Sequence, residues 1–217
     1  MAEHVDVAIL GAGSAGLSAL RQVKKQTDSY VLLDPGPLGT TCARVGCMPS
    51  KALIHAAHGF QRARELESLG LGGCGELRCD LPAVLRHVRT LRERFAGGMG
   101  EATERLAGDK LVRARGSLTG PNRVRAGNRE FTADRMIIAT GASPVVPGPW
   151  RELGDRLLTS ETIFEQDDLP PRLAVIGLGA IGSELGQALA RLGIEVVGFD
   201  MLEKICGLTD PEVAREA

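Results

Sequence analysis

Two cysteines stand five residues apart in Thr41-Cys42-Ala43-Arg44-Val45-Gly46-Cys47-Met48-Pro49-Ser50-Lys51, and a proline, a serine and a lysine follow closely. Thiols at this spacing could cycle with a disulfide, and geometry says what that requires. On a regular helix, residues five apart are separated by about 7.5 Å of rise and face roughly 140° apart, whereas a disulfide needs Cα atoms about 4.4–6.8 Å apart. An unbroken helix through both residues would keep the sulfurs apart. If Cys42 lies in a turn leading into a helix and Cys47 in its first turns, the chain folds back and closes the distance. Pro49 suits an early turn, where a missing N–H costs least, and a helix N-terminus stabilises a thiolate. Spacing alone leaves a second reading open, two unrelated buried thiols. Zinc fits less well, because its cysteines come typically as C-x₂₋₄-C with a second Cys or His pair, and no residue is singled out as a metal ligand.

The neighbouring elements must decide. Val5 to Leu10 is a short apolar strand, followed at once by Gly11-Ala12-Gly13-Ser14-Ala15-Gly16 and a helical stretch to about Gln26. Tyr30 to Leu33 then reads as a buried strand ending in Asp34. Strand, glycines, helix, strand and acid in this order make a dinucleotide fingerprint. Gly11 allows the tight turn, Gly13 lets backbone approach a pyrophosphate, Gly16 lets helix pack on strand, and Asp34 can accept from a ribose hydroxyl. Candidate cofactor contacts are therefore Gly11, Gly13, Ser14, Ala15, Gly16 and Asp34. A loop from Pro35 to Gly39 delivers the chain to the cysteines, which wires the thiol pair next to the nucleotide site.

From Cys47 to about Leu66 the pattern is helical, with Leu53, Ile54, Ala57 and Phe60 available for one face. His55 and His58 on that helix read as solvated or core-edge side chains. Leu69 to Cys79 is a Gly-rich loop whose Cys74 and Cys79 lack a following Pro-Ser-Lys and read as incidental thiols. Leu81 to about Ala107 is a second long helix with Arg86, Arg89, Arg92, Arg94 and Arg105 on a solvated face. Lys110 to Leu118, Arg123 to Ala126 and Arg129 to Thr132 form short strands of a meander. Met136 to Gly141 is a separate buried strand whose terminal glycine would let a ligand come close.

Pro144 to Pro149 is the linker candidate. Beyond it the fingerprint recurs: a strand from Leu173 to Ile176, the turn Gly177-Leu178-Gly179-Ala180-Ile181-Gly182, a helix from Ser183 to Leu192, and a strand from Ile194 to Phe199 ending at Asp200. Gly11, Gly13, Gly16 and Asp34 fall on Gly177, Gly179, Gly182 and Asp200 at one offset without a gap. The expected fold is α/β, with two Rossmann-like dinucleotide-binding units. Two nucleotide units with a dithiol beside the first describe an electron relay: one nucleotide is a flavin, which exchanges electrons with a dithiol, and the other a nicotinamide, which delivers only hydride.

Composition narrows the classes. A chain of 217 residues with 43% hydrophobic content supports one large or two small packed domains. A net charge of -1 and 3% aromatic residues give no footprint for nucleic acid. No apolar segment approaches the roughly 18 residues that span a bilayer, so no membrane partner is expected. Five cysteines, an odd count, read as mostly reduced thiols with one functional pair, and a cytoplasmic protein is the default expectation.

Thr41-Cys42 through Gly46-Cys47-Met48-Pro49-Ser50-Lys51, the strand end Ala139-Thr140-Gly141 and Gly177-x-Gly179-x-x-Gly182-x-Glu184 resemble the flavin-dependent disulfide oxidoreductases, which include dihydrolipoamide dehydrogenase, mercuric reductase and glutathione reductase. Pro-Ser-Lys after the second cysteine is similar to the first two. The resemblance implies an FAD domain with a β-meander insertion over 1–148, lacking its C-terminal segment, and a linker with the first βαβ of an NAD domain over 149–217. It implies that Asp34 serves the adenosine ribose and that Gly39, Thr41, Thr140 and Gly141 lie near FAD, with an adenine contact at Gly116. Cys47 would be the thiol against the flavin and Cys42 the exposed thiol that exchanges with lipoamide or another small disulfide. Lys51 would sit near the flavin ring and pair with Glu184 across two domains, and Asp200 would choose NAD over NADP. Thr40 and Arg44 stand where the family more often carries Gly and Asn. The family also has a C-terminal dimerisation domain with a His-Pro acid/base; His4, His55, His58 and His87 are not followed by proline. The chain is therefore expected to be roughly the N-terminal half of a homodimeric enzyme, inactive alone in full turnover.

Overall fold

The buried runs of the two fingerprints dictate the sheets. In the computed structural model, which describes residues 2–73, 77–202 and 205–216, the chain runs β1 (Glu3–Leu10), α1 (Ser14–Val23), β2 (Tyr30–Leu33), α2 (Thr41–Arg44), α3 (Cys47–Glu65) and α4 (Leu81–Ala107). It continues with β3 (Leu111–Val112), β4 (Gly116–Gly120), β5 (Arg123–Ala126), β6 (Arg129–Ile138), β7 (Arg172–Ile176), α5 (Ala180–Arg191), β8 (Glu195–Phe199) and α6 (Pro211–Glu216). The architecture is the expected Rossmann-like α/β class. Two compact units form, Met1–Met48 with Arg92–Gly154, and Pro49–Leu91 with Asp155–Ala217. Among the described residues, no helix is long and apolar enough to cross a membrane.

The first unit holds a six-stranded sheet in the order β3-β2-β1-β6-β5-β4, parallel from β3 to β6 and antiparallel beyond. Side chains alternate between faces along a strand. Val7, Ile9, Tyr30 and Leu32 pack with Leu17, Leu20 and Val23 of α1, whereas Ala8, Leu10, Val31 and Leu33 pack with Val124, Ala126 and Phe131 of the meander. Burial on both faces is why these strands read as continuous apolar runs.

Two expectations about strands are corrected. Lys110 to Leu118 is not one strand, because Arg113, Ala114 and Arg115 carry the chain from β3 at one end of the sheet order to β4 at the other. Ends of a sheet joined by so short a link require the sheet to fold over itself. Gly116 marks the close approach: a Cβ there would lie 3.1 Å from the Leu33 side chain and 3.3 Å from that of Leu10. Conversely, Arg129 to Thr132 and Met136 to Ile138 are parts of one strand. β6 pairs with β5 through its first half and with β1 from Glu3↔Phe131 to Leu10↔Ile138, so the polar Asp134 and Arg135 continue the ladder rather than break it.

The second unit repeats the pattern on a smaller scale. β7 and β8 pair in parallel with α5 packed against them, and Leu173↔Val196 and Ile176↔Phe199 occupy the register of Val7↔Tyr30 and Leu10↔Leu33. Its core joins Leu185, Ala188 and Leu189 of α5 to Leu53 and Ala57 of α3, Leu85 and Val88 of α4, and Phe164. Residues 49–91 pack within this unit. Cys79 is half-buried against this core, and burial with the Asp80 charge pushes its thiol pKa up; Cys74 lies outside the described residues.

Candidate active site

In the first unit, Asp34 locks the glycine turn to the end of β2. Its carboxylate accepts from the Ala12 N–H at 2.6 Å and from the Gly36 N–H at 2.7 Å. Gly11 has φ 104°, and a Cβ on it would fall 2.2 Å from the Ala139 carbonyl oxygen of the strand end beside it. A Cβ on Gly16 would fall 1.8 Å from the Gly11 oxygen. Packing alone explains both glycines. Gly13 is different, since a Cβ there meets nothing within 4 Å. It starts α1 without a side-chain cap, which leaves the first N–H groups of the helix open to an anion. Gly13, Ser14 and Ala15 line a pocket of about 380 Å³ together with Thr41, Ile138, Ala139, Thr140 and Gly141. The pocket brings together six of the residues expected at the cofactor. Ile138 and Ala139 were missed, because a buried-strand reading gave no sign that the strand end turns toward the pocket. Gly39, φ 122°, packs its backbone on α4, where a Cβ would lie 2.9 Å from the Ala96 oxygen.

Cys42 and Cys47 come together by breaking the helix between them. Cys42 sits in the single turn of α2, Val45 leaves helical geometry, and Cys47 opens α3 with Pro49 in its first turn. Gly46 permits the return: a Cβ there would lie 3.1 Å from the Thr41 oxygen and 3.3 Å from the Cys42 Cα. The two side chains are within hydrogen-bonding reach. That contact, burial and the Cys47 charge push the Cys42 thiol pKa up, against the pull of the Cys47 backbone N–H. Cys42 is half-buried in α2 and Cys47 is exposed at the start of α3.

In the second unit the expected Lys51–Glu184 pair is present. Lys51 Nζ donates to both carboxylate oxygens of Glu184, at 2.7 and 2.6 Å. Both residues belong to this one compact unit. The second glycine turn copies the first. Asp200 accepts from the Leu178 N–H at 2.5 Å and from the Leu202 N–H at 2.9 Å, and the N–H groups of Leu202 and Leu178 hold its carboxyl below the ordinary carboxylate range. A Cβ on Gly182 would fall 1.9 Å from the Gly177 oxygen, while Gly179, with open space around it, starts α5 without a side-chain cap. Gly177, φ 93°, meets no neighbour where Gly11 abuts Ala139. Away from both turns, His4, Asp6 and Asp134 bring possible metal-ligand atoms within 4.8 Å of one another, a grouping of residues far apart in the sequence.

Two glycine turns thus open helices that lack side-chain caps, and two thiols lie together beside the first. The pyridine nucleotide-disulphide oxidoreductase family matches residues 5–217. Dihydrolipoyl dehydrogenase of Manduca sexta is 31% identical over 97% of this chain and 44% of its own length, and mercuric reductase of Bacillus cereus is 31% identical over 96% of this chain and 33% of its own. The chain thus spans less than half the length of these relatives. Among solved structures, the Cu(II) complex of the HOCl-induced flavoprotein disulfide reductase RclA from Escherichia coli superimposes with a TM-score of 0.77 at 19% identity, over 97% of this chain and 45% of that one. The match over nearly the whole sequence makes this chain a member of the pyridine nucleotide-disulphide oxidoreductase family.

Proposed function

We propose that the chain forms the FAD-binding region and the opening of the NAD-binding region of a dithiol/disulfide oxidoreductase of the dihydrolipoamide dehydrogenase type. The observation that carries this reading is the pocket in which the first glycine turn, the Thr140-Gly141 strand end and Thr41, the neighbour of Cys42, meet. Its residues fit a flavin dinucleotide: an uncapped helix start, a glycine with room for a pyrophosphate and a carboxylate beyond the second strand. When bound, the flavin supplies two-electron exchange with a dithiol and the nicotinamide supplies hydride transfer.

The chain's own residues do the rest. Gly13, Ser14 and Ala15 present backbone N–H groups to the pyrophosphate, Asp34 keeps their turn in place, and Thr140 and Gly141 close the pocket. Cys42 and Cys47 hold two electrons as a dithiol and release them on forming a disulfide. Gly179 and Asp200 play the corresponding parts for NAD, and the carboxylate disfavours a 2′-phosphate. Lys51 is held by Glu184 within the second unit.

The test is twofold. Flavin released from the purified chain by heat should be FAD; a colourless protein that takes up none contradicts the reading. Full-length protein should oxidise dihydrolipoamide with NAD⁺. The mercuric reductase relatives are as similar as the dihydrolipoyl dehydrogenases, so reduction of Hg²⁺ or of another disulfide without that oxidation would place the enzyme among the reductases instead.

A further inference from the structure

Thr40 precedes the helix that carries Cys42, and its backbone lies at φ 53°, ψ 150°. Among the described residues, only Thr40 and Cys206 are non-glycines at positive φ. The Thr40 conformation belongs almost to glycine alone, and such strain persists only where the surroundings over-determine it, commonly at functional sites. The surroundings here are specific. Thr40 Oγ1 accepts the Ala43 N–H at 3.2 Å and its carbonyl accepts the Arg44 N–H at 3.1 Å, so one residue caps α2 with side chain and backbone together. Before it, Gly39 is pressed on Ala96; after it, Gly46 is pressed on Thr41. Cys42 lies between these fixed points.

We infer that Thr40 is a positioning residue for the dithiol. Its hydroxyl holds the turn of α2 from a backbone conformation that would otherwise relax, and so keeps Cys42 opposite Cys47. The inference rests on the proposed redox role of the pair. The step it tunes is an exchange with glutathione disulfide: a sulfur–sulfur bond forms between Cys42 and Cys47, the one in glutathione disulfide breaks, and two electrons and two protons leave with two glutathione thiols. The equilibrium constant of this exchange measures how well the two sulfurs are held together.

The experiment titrates the chain with glutathione redox buffers, with Cys74, Cys79 and Cys206 replaced by serine, and quantifies the disulfide by mass spectrometry. Thr40→Ser, which keeps the hydroxyl, should stay within about twofold of the parent, while Thr40→Gly, which loses it at a φ that glycine accepts freely, should lower the constant about tenfold, equivalent to about 30 mV. Far-UV circular dichroism should not distinguish the two. A Thr40→Gly constant equal to the parent's overturns the role of Thr40 and leaves the redox pair standing. A parent that forms no Cys42–Cys47 disulfide at any buffer ratio overturns the redox reading itself.

Discussion

At the scale of single residues, the Cys42 thiol is defined by its neighbour. The Cys47 side chain is the largest cause that raises its pKa, ahead of burial, so the proton stays on Cys42 to a pH above that of an ordinary thiol. Removing that side chain takes away the largest raising cause: Cys47→Ala should move the midpoint of Cys42 alkylation by iodoacetamide to lower pH, read by mass spectrometry against pH, and an unmoved or higher midpoint would contradict the assignment. The glycines separate in the same way. Gly16→Ala forces a Cβ onto the Gly11 oxygen and should destabilise the protein by about 1–3 kcal/mol or more, as overpacking does. Gly13→Ala meets no protein atom. Its thermal midpoint without cofactor should match the parent's while FAD retention falls; equal FAD retention would show that the open space is not a ligand's.

At the scale of elements, magnitudes decide what holds α3 to α5. The Lys51–Glu184 pair is short, but its side chains are 60% and 48% exposed, and exposed pairs contribute only about 0–1 kcal/mol. Leu189 is fully buried among Leu53, Ala57 and Leu185, and truncating such a residue costs about 2–5 kcal/mol. Lys51→Ala should therefore leave the urea midpoint nearly unchanged and Leu189→Ala should lower it strongly; the opposite order would make the ion pair structural. Much of this was legible beforehand. The fingerprints gave β1-α1-β2 and β7-α5-β8, because apolar runs, glycines and a terminal acid are local signals. The continuity of β6 through Asp134 and Arg135 was not legible, since it depends on pairing with β1, more than a hundred residues away. Nor was the cap at Thr40, whose sequence says nothing of its φ.

At the scale of the whole molecule, one supersecondary unit is used twice, with the same register and the same aspartate lock on the glycine turn. The copies differ in what surrounds them. β1 lies between two strands in a six-stranded sheet, whereas β7 and β8 form a two-stranded one in which Ile176 and Phe199 remain about half exposed. Asp200 gives the second copy its own test. Asp200→Ala should raise NADPH affinity relative to NADH in the full-length protein, measured by fluorescence titration, and an unchanged ratio would remove Asp200 from cofactor choice.

In the proposed relay the Cys42/Cys47 pair and a flavin share electrons. Anaerobic dithionite titration of the oxidised, FAD-loaded protein counts them directly. The parent should take up about four electron equivalents per flavin, two for the disulfide and two for the flavin, and a Cys42→Ser/Cys47→Ser variant about two. A parent that is fully reduced by about two equivalents per flavin would contradict it.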